Sequence, residues 1–583
     1  MVSSPDLRAG HHAPPQVGMD PHVIAGGSLT FASAPKVTLL PEESTSHPFA
    51  VAVAAAWSCY GGKPAKVENV LSLIHGPEPS GLSPEKSAER ANRRERALRL
   101  YADLFAAGHH TTMQHATFVF MLDNVSRLAI WSFFHSHPFY NSEQVSQRYR
   151  EVTGATMVTP ALPEPLAEIY AAAIERSLEG YRRLTDILTP SMHQRYGGIF
   201  PARVKAKGED AERRVADAVQ KRAQEVARYV LPLATPAHLY HTVNALTLLR
   251  YFVVANQPDA PSEVRLIVNE MVRQVLELDP YFLGAPGYPL DLRPLTMDDA
   301  IEMQAYSGWR AAVNHDPAES EREIAAFDAA LEQWENSKLV GHVPDAERLM
   351  ADAVRTVLAR TEESLSNDDA IRLVLSGEEN PYLGHPLFLG MHSKLMQTMN
   401  HVPFTFMKRI SGAEDAQNQR HRGTPSSGPL LLAHLRREPD VITPWAIRQD
   451  PVALAEYDET IRAMWDAKNA LLDAGVEPEA ALYLLPNSHR LRFHESGTLM
   501  SYYWKWMKRL CFDAQREIFE TAREEVAQVR EVFPLIGSLV DGPPCVMRSR
   551  AGTTPVCPEG ERFCGVPVWR NYSFDTLGDR RVM

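Results

Sequence analysis

The sequence predicts a helix-rich α+β fold in which two tandem copies of one domain each pack helices on a small antiparallel sheet. The prediction depends on long amphipathic patterns, on β-branched and aromatic stretches such as 115–122, and on a weak internal repeat. The chain has 583 residues, which is enough for two or more domains. With 44% apolar and 23% charged residues, its composition excludes disordered and collagen-like proteins.

The internal repeat has three landmarks that recur in the same order. They are the pairs 115–120 and 401–406, Leu231-Pro232 and Leu485-Pro486, and Ala255 and Arg509. The last pair lies equally far beyond each proline, at 23 residues (255 − 232 and 509 − 486). Equal spacing indicates a duplication, and the period is too long for a solenoid.

Composition and periodicity predict five segments. They are a mobile tail over 1–46, a first domain over 47–285, a helical connector over 286–374, a second domain over 375–540 and a C-terminal extension over 541–583. Helices are predicted over 84–107, 165–190, 212–229, 238–256, 262–277, 452–474 and 498–533. The first of these has Ser83 as N-cap and Pro84 at its first position.

The charge balance argues against a nucleic-acid binder, because the net charge is −12 and such proteins usually carry a basic excess. No apolar stretch approaches the length of a membrane span, and the first residues lack the apolar core of a signal peptide. Five cysteines are too few for a disulfide scaffold. We therefore expect a cytoplasmic protein with reduced thiols and no membrane partner.

Cys545, Cys557 and Cys564 lie close together in the C-terminal extension. Three thiols and a fourth ligand could bind zinc, but there is no close Cys-x-x-Cys pair, so we favour reduced cysteines and predict no metal. Cys59 and Cys511 are interpreted as core residues.

Two polar stretches are candidate ligand sites. Residues 142–149 combine backbone amides with hydroxyl, amide and guanidinium groups, which suits a phosphate and a planar base edge. Residues 417–423 place a histidine between two arginines, which suits a diphosphate or an anionic ring. Each stretch taken alone is more typical of a solvated loop or an exposed turn. Arg509, in an otherwise apolar and aromatic helix, needs either a surface position or an anionic partner.

Together these stretches resemble the flavin-dependent thymidylate synthase family. The matching elements are Gly108-His109-His-Thr111-Thr-Met-Gln114-His115, Ser146-Gln-Arg148-Tyr149, Arg228-Tyr-Val-Leu231-Pro232, Asn244, Arg420-His421-Arg422, and Arg509 with Ala514-Gln515-Arg-Glu517-Ile518. The resemblance spans 47–280 and 375–540. Gln114 stands where the family has Glu, and Gln144 also replaces a commoner Glu, which leaves one hydrogen-bonding partner in doubt.

The two copies depart from the family pattern in complementary ways. The first has His135-Ser-His137 in place of Arg-His-Arg, with an ambiguity of one residue in register, and Ala255 in place of Arg509. The second has Gly428–Leu432 in place of the phosphate loop, and Leu482 and Thr498 at the positions of Arg228 and Asn244. Family sites lie between subunits of a homotetramer, so the resemblance implies composite sites in a homodimer that forms a pseudo-tetramer.

The resemblance also implies the chemistry, which is reductive methylation of dUMP to dTMP with methylenetetrahydrofolate, NADPH and FAD. It implies contacts to dUMP from Gln144, Ser146, Gln147, Arg148, Arg228, Gln417 and Arg420. Arg509 is the implied catalytic residue, stabilising negative charge on the pyrimidine. The implied FAD contacts are His109, Thr111, Asn244, Arg420, His421 and Arg422. Two alternatives stay open, a flavoenzyme acting on another pyrimidine nucleotide and a non-catalytic paralogue that binds nucleotide or flavin.

Overall fold

The computed structural model describes residues 29–148, 150–152, 157–257, 260–292 and 316–582. Its compact units do not follow the sequence halves. The first unit contains the described residues of Met1–Val125, Phe139–Gln144 and Ala237–Ala311, and the second contains those of Ser126–Pro138, Val145–Pro236 and Ala312–Met583. None of the described helices is both long and apolar enough to cross a membrane.

Each unit contains a four-stranded antiparallel sheet. In the first unit the spatial order is Lys36–Leu39, Thr117–Ser126, Pro236–Asn244 and Asn141–Gln144. In the second it is Ser337–His342, Pro403–Ser411, Arg490–Thr498 and Ser426–Ser427. When the strands of each sheet are numbered along the chain, the spatial order is first, second, fourth, third in both sheets. The structure therefore repeats one topology. This confirms the predicted helix-rich α+β fold with two copies of one domain.

The first unit contains five α-helices among its described residues, and the last of them packs on strand Lys36–Leu39. They are Pro48–Tyr60, Val67–Ile74, Pro84–Ala106, Ala245–Ala255 and Ser262–Leu278. Alternation explains the strand Pro236–Asn244, in which every second side chain is buried, and Asn244 then caps the next helix by accepting from the backbone N–H of Thr247 at 2.8 Å.

The helices of the second unit come from both copies. Those of the first copy are Arg127–Ala129, continued by a π-turn over Ile130–Phe134, then Leu166–Ile199, Pro201–Lys205 and Glu209–Ala227. Those from the later part of the chain are Pro317–Ala330, Ala346–Leu358, Asn367–Leu375, Gly412–Asn418, Trp445–Arg448, Pro451–Asp473, Pro478–Leu482, Leu499–Arg509, Arg516–Val532, Pro534–Leu539 and Pro544–Arg550. The long helices Leu166–Ile199 and Pro451–Asp473 pack on one another.

The segment 118–126 is one residue longer than its counterpart 404–411, which bears on the ambiguity of register. Ser126 and Ser411 are equivalent helix caps, each accepting a backbone N–H three residues on at 3.0 Å. Eight residues separate Phe118 from Ser126, but only seven separate Phe404 from Ser411 (126 − 118 and 411 − 404). Asn124, at a φ of 55°, lies in the longer segment. His135-Ser-His137 therefore stands at the positions of Arg420-His421-Arg422.

Four predictions of local structure were wrong. Strand Lys36–Leu39 lies within the predicted tail, and residues 1–28 lie outside the described part of the chain. Strand Ser337–His342 lies within the predicted connector but pairs with Pro403–Ser411, so the second sheet begins before residue 375. Residues 238–244 are strand, not helix. The predicted helix 498–533 is interrupted at 510–515, because Ala514 N–H turns back to the Cys511 carbonyl at 2.9 Å.

Candidate functional site

The loop that holds Ser146 and Arg148 is a tight turn in the second unit. Ser146 Oγ accepts from the backbone N–H of Arg148 at 3.2 Å, and its carbonyl accepts from Arg150 at 3.0 Å. Gln144, two residues before Ser146, is the half-buried last residue of a strand in the first unit. Tyr149 lies outside the described residues. The turn leaves Gln147 buried and Arg148 half-buried.

Arg148 connects the two copies within one chain. Its Nη2 donates to the Asp513 carbonyl at 2.8 Å, and its Nε pairs with the Glu225 carboxylate. Glu225 also pairs with Arg222 at 3.3 Å. Burial opposes ionisation of Glu225, but the two arginines outweigh it and lower the pKa of that carboxyl.

Arg228 is 5% exposed and follows the helix Glu209–Ala227. Its guanidinium donates to the carbonyls of Glu225 and Ala413, each at 3.3 Å, and to the Gln515 side chain. Those three acceptors are neutral. Burial lowers the pKa of Arg228, so this cation would be stabilised by an anionic ligand.

Gln515 connects Arg228 to the second copy. Its Oε1 accepts from Arg228 and from Gln417 Nε2 at 2.6 Å, and its Nε2 donates to Tyr229 Oη. The Tyr229 hydroxyl donates to Glu517, which also accepts from Ser411 N at 2.8 Å. Residues of both copies therefore fix the position of Gln417.

The same network fixes which atom, oxygen or nitrogen, each side-chain amide presents to its neighbours. A guanidinium only donates, so Gln515 presents oxygen to Arg228 and to Gln417 Nε2. Asn487 Nδ2 donates to the Arg228 carbonyl at 2.9 Å and to Gln147 Oε1 at 3.1 Å. Within the described residues, Gln147 Nε2 and Gln417 Oε1 are then buried without a hydrogen-bond partner. One donor and one acceptor are thus available to a ligand.

Arg509 is the last residue of the helix Leu499–Arg509. Its Nε donates to His421 Nε2 at 2.8 Å and its Nη2 donates to the Gln417 carbonyl at 2.8 Å. Burial and the nearby Arg509 and Lys505 charges hold the pKa of His421 well below its usual value. A neutral imidazole therefore accepts from Arg509 and leaves its charge uncompensated by His421.

The predicted FAD residues fall into two groups in different units. Arg420 and Arg422 are exposed on either side of the half-buried His421, just after the helix Gly412–Asn418. In the first unit, His109 and Thr111 are exposed on the 3₁₀ turn that packs on the helix capped by Asn244. His109 Nδ1 lies 3.2 Å from Tyr60 Oη.

Two cavities adjoin this network. One of about 740 Å³ is lined by Arg148, Arg222, Glu225 and Asp513. The other, of about 300 Å³, is lined by Tyr229, Gln515 and Glu517. Neither is lined by Gln417 or Arg509.

The sequence analysis assigned Arg148, Arg228, Gln417 and Arg509 to one predicted site. It did not identify several residues that form hydrogen bonds or ion pairs within the network. These are Glu225, Tyr229, Asn487, Asp513 and Gln515. Gln515 lies inside the repeat motif that begins at Ala514, which was the one available signal. The contacts of Arg148 with Glu225 and Asp513 span 77 and 365 residues, and that of Gln147 with Asn487 spans 340, so periodicity contains no trace of them.

The cysteines differ in part from their interpretation. Cys59 is exposed and is not a core residue, Cys511 is intermediate, and Cys545 is buried in the helix Pro544–Arg550. Cys511, Cys545, Cys557 and Cys564 line one very small cavity. Within the described part of the chain, no three His, Cys, Asp or Glu residues are arranged as metal ligands.

Comparison with known proteins matches the chain twice to one family. The model of the thymidylate synthase complementing protein family matches residues 42–281 and 338–535, together more than half of the chain. The second match begins at the strand Ser337–His342, in agreement with the topology.

Two curated relatives are named flavin-dependent thymidylate synthase. The protein of Clostridium tetani is 28% identical over 43% of this chain and 86% of its own length. That of Geobacter sulfurreducens is 29% identical over 39% of this chain and 92% of its own length. A solved structure, the UMP/dUMP methylase PolB from Streptomyces cacaoi bound with 5-Br dUMP, is 20% identical over 44% of this chain and 98% of that chain, with a TM-score of 0.28. At that score the likeness carries no structural argument.

Proposed function

Because the chain belongs to the thymidylate synthase complementing protein family, we propose that it is a flavin-dependent enzyme that methylates the C5 carbon of dUMP. The observation that carries this proposal is the network in which Gln515 joins Arg228 of the first copy to Gln417 of the second. It assembles, in one chain, the groups that the two copies retain separately.

The network offers a nucleotide two kinds of contact. Arg228, buried among neutral acceptors, and Arg148 on the neighbouring turn supply cations for the phosphate. Gln147 Nε2 and Gln417 Oε1 supply a donor and an acceptor, which complement the adjacent C=O and N–H groups of a uracil edge. Ser146 and Arg420 are further proposed contacts to dUMP in the same unit, and Gln144, which belongs to the first unit, stays a prediction from the family resemblance.

Arg509 is the proposed catalytic residue. Its helix ends beside Gln417, and its Nη2 donates to the Gln417 carbonyl at 2.8 Å, so its guanidinium lies next to a proposed nucleotide contact. A fixed cation stabilises the negative charge that develops when the C5 position acts as a nucleophile.

The donor set at Arg420, His421 and Arg422 fits FAD, because exposed guanidinium groups match a diphosphate or an anionic flavin ring. In the first unit, Thr111 with His109 supplies hydroxyl and imidazole groups, and Asn244, whose oxygen caps a helix, contributes its amide nitrogen. We propose each group as a FAD contact on its own grounds. When bound, FAD supplies hydride to the transferred carbon.

The co-substrates follow from the balance of the reaction. The methylene of methylenetetrahydrofolate, one hydride from NADPH and one proton convert dUMP to dTMP, leaving tetrahydrofolate and NADP⁺. We further propose a homodimer with a pseudo-tetrameric core, because two copies per chain replace two of the four subunits that the family resemblance implies.

The test is an assay of dTMP formation by purified protein with dUMP, methylenetetrahydrofolate, NADPH and FAD. We expect a flavin absorption spectrum, NADPH-dependent product, and rescue of a thymidine-requiring strain. Replacing both Arg420 and Arg422 by alanine should sharply lower flavin content in a folded protein. A folded protein without flavin would contradict the proposal. A flavoprotein that leaves dUMP unchanged would favour another nucleotide substrate.

A further inference from the structure

The cavity beside Arg148 has a wall from outside the family match. Its volume is about 740 Å³, which is enough for a cofactor-sized ligand. One side is formed by the helices Leu166–Ile199 and Glu209–Ala227, and the other by residues 561–564 of the C-terminal extension. The second family match ends at residue 535, so the extension adds this wall to the domain.

The wall is held in place by a glycine. Gly565 adopts a φ of 83°, and a Cβ atom there would lie 2.0 Å from Ile199 Cγ2 and 2.7 Å from the Phe200 ring. Only glycine permits both the backbone angle and this approach. The extension is therefore seated directly on the end of the helix Leu166–Ile199, and residues 561–564 are fixed beside the cavity.

The lining combines aromatic and basic side chains. Tyr196 and Phe200 have ring centroids 4.8 Å apart, and the Arg203 guanidinium lies 4.1 Å from the Phe200 centroid. Phe563 of the extension contributes a further ring to the lining. Such a surface suits a planar aromatic group.

The charges of the cavity leave a positive excess. Arg148 and Arg222 are paired with Glu225 or hydrogen-bonded to residue 513. Arg562 lies 3.8 Å from the Glu559 carboxylate. The remaining basic residues of the lining are Arg203, Arg214 and Lys221, and the remaining acidic residues are Asp217 and Glu561. Arg214 and Lys221 lie seven residues apart on the helix Glu209–Ala227, which is about 10 Å along its axis, and this separation suits a ligand with more than one anionic group.

We propose that this cavity binds an aromatic ligand carrying two or more negative charges, with residues 561–565 as its specificity-determining wall. Both a reduced folate and a nicotinamide dinucleotide phosphate have this chemistry. The proposal rests on the proposed function only for the choice of these two probes. Arg148 both lines the cavity and is a proposed nucleotide contact, so the ligand would lie beside the nucleotide.

The test measures binding to full-length protein by calorimetry, with 5-formyltetrahydrofolate, NADP⁺ and dUMP as separate probes. We expect one of the first two to bind, and Arg562→Ala to weaken it about threefold, as for an exposed charge contact. Gly565→Ala should weaken it about tenfold, because the added Cβ moves the wall. Gly560→Ala is the matched control, since Gly560 also has positive φ but a Cβ there meets nothing within 4 Å.

The probe that responds identifies the ligand source. The proposal is overturned if neither folate nor NADP⁺ binds, or if Gly565→Ala, folded by its melting curve, binds both as the wild type does. It is equally overturned if Gly560→Ala reproduces the loss. Failure of dUMP alone to bind, with the folate or NADP⁺ response intact, would contradict the proposed function but not this cavity.

Discussion

The two copies share a strand order but differ in what they bury against the sheet. The strands Pro236–Asn244 and Arg490–Thr498 have equal length, and their sixth residues are His241 and Glu495. The following helices, Ala245–Ala255 and Leu499–Arg509, are also equal, and their seventh residues are Tyr251 and Lys505. The topology was thus retained while the interior polar groups changed.

The first copy places a histidine and a tyrosine at these positions, with His241 Nε2 3.1 Å from Tyr251 Oη. The second copy has a buried ionic network. Lys505 Nζ lies 2.7 Å from Glu495, and Lys408 Nζ lies 2.5 Å from Glu495 and 2.8 Å from Glu525. Lys408, Glu495 and Glu525 are fully buried.

After the duplication, the two copies therefore came to differ in single residues, while their strands and helices stayed the same. Ala255 and Arg509 end equivalent helices, yet only the second reaches a candidate ligand site. The cost of a buried charge is recovered only if its partners are complete. The second copy should therefore be the more sensitive to single substitutions in its interior.

The largest expected effect is on stability. Glu495→Gln removes the carboxylate shared by Lys408 and Lys505, and should lower the free energy of unfolding by about 3–5 kcal/mol. His241→Gln at the equivalent position should cost about 1 kcal/mol, because one side-chain hydrogen bond is lost. Urea unfolding, with hydrogen exchange resolved over both strands, measures the two. Equal losses would refute the distinction between the copies.

A second prediction concerns pH. His489 and Thr235 each bond the carbonyl of the proline three residues before, at 2.7 and 2.6 Å, but only His489 titrates. Burial lowers the pKa of His489 to about 4. Between about pH 6.5 and 4, the unfolded chain takes up a proton that the folded chain does not, so the free energy of unfolding falls by roughly 3 kcal/mol as pH falls.

His489→Gln, which keeps a neutral side chain of similar length, should remove this dependence while leaving stability near pH 7 within about 1 kcal/mol. Chemical denaturation of both proteins at a series of pH values provides the measurement. Parallel curves from pH 7 to pH 4 would show that His489 contributes nothing to acid sensitivity.

The smallest expected effect is at Asn124, in the longer of the two equivalent strands. Asn124 has a φ of 55° and its Nδ2 donates to Ser33 Oγ at 3.0 Å, whereas strand Pro403–Ser411 is one residue shorter. Asn124→Val should cost about 1–2 kcal/mol, because a branched residue is strained in the left-handed region, and Asn124→Gly only a few tenths. Thermal melts of the pair decide this, and equal losses would mean that the angle is not what matters.

The sequence predicted the duplication because its landmarks are local motifs at equal spacing. It did not predict strand Ser337–His342, a short irregular edge strand whose pairing is shifted between Leu339 and Gly341. The break at 510–515 was hidden because apolar residues continue through it. The assembly of Arg148 with Asp513, and of Arg228 with Gln515, depends on pairs more than 280 residues apart, which no periodicity records.

The central claim is that one chain assembles the candidate site from both copies. Arg148 and Arg509 variants test its parts, since either Arg→Ala change should cost about 2–5 kcal/mol of nucleotide binding or transition-state stabilisation. A fully active single mutant, or a half-chain (1–290 or 370–583) that binds dUMP as tightly as the whole, would contradict a composite site.

The most direct measurement mixes the two single mutants and assays dTMP formation after subunit exchange, with exchange verified by native mass spectrometry. Arg148 and Arg509 contact residues 513 and 417 of the same chain, so every site in a mixed dimer carries one lesion. We predict that the mixture stays as inactive as either mutant. Recovery to about a quarter of wild-type activity, expected if random dimers with twofold symmetry built their sites between chains, would contradict the account.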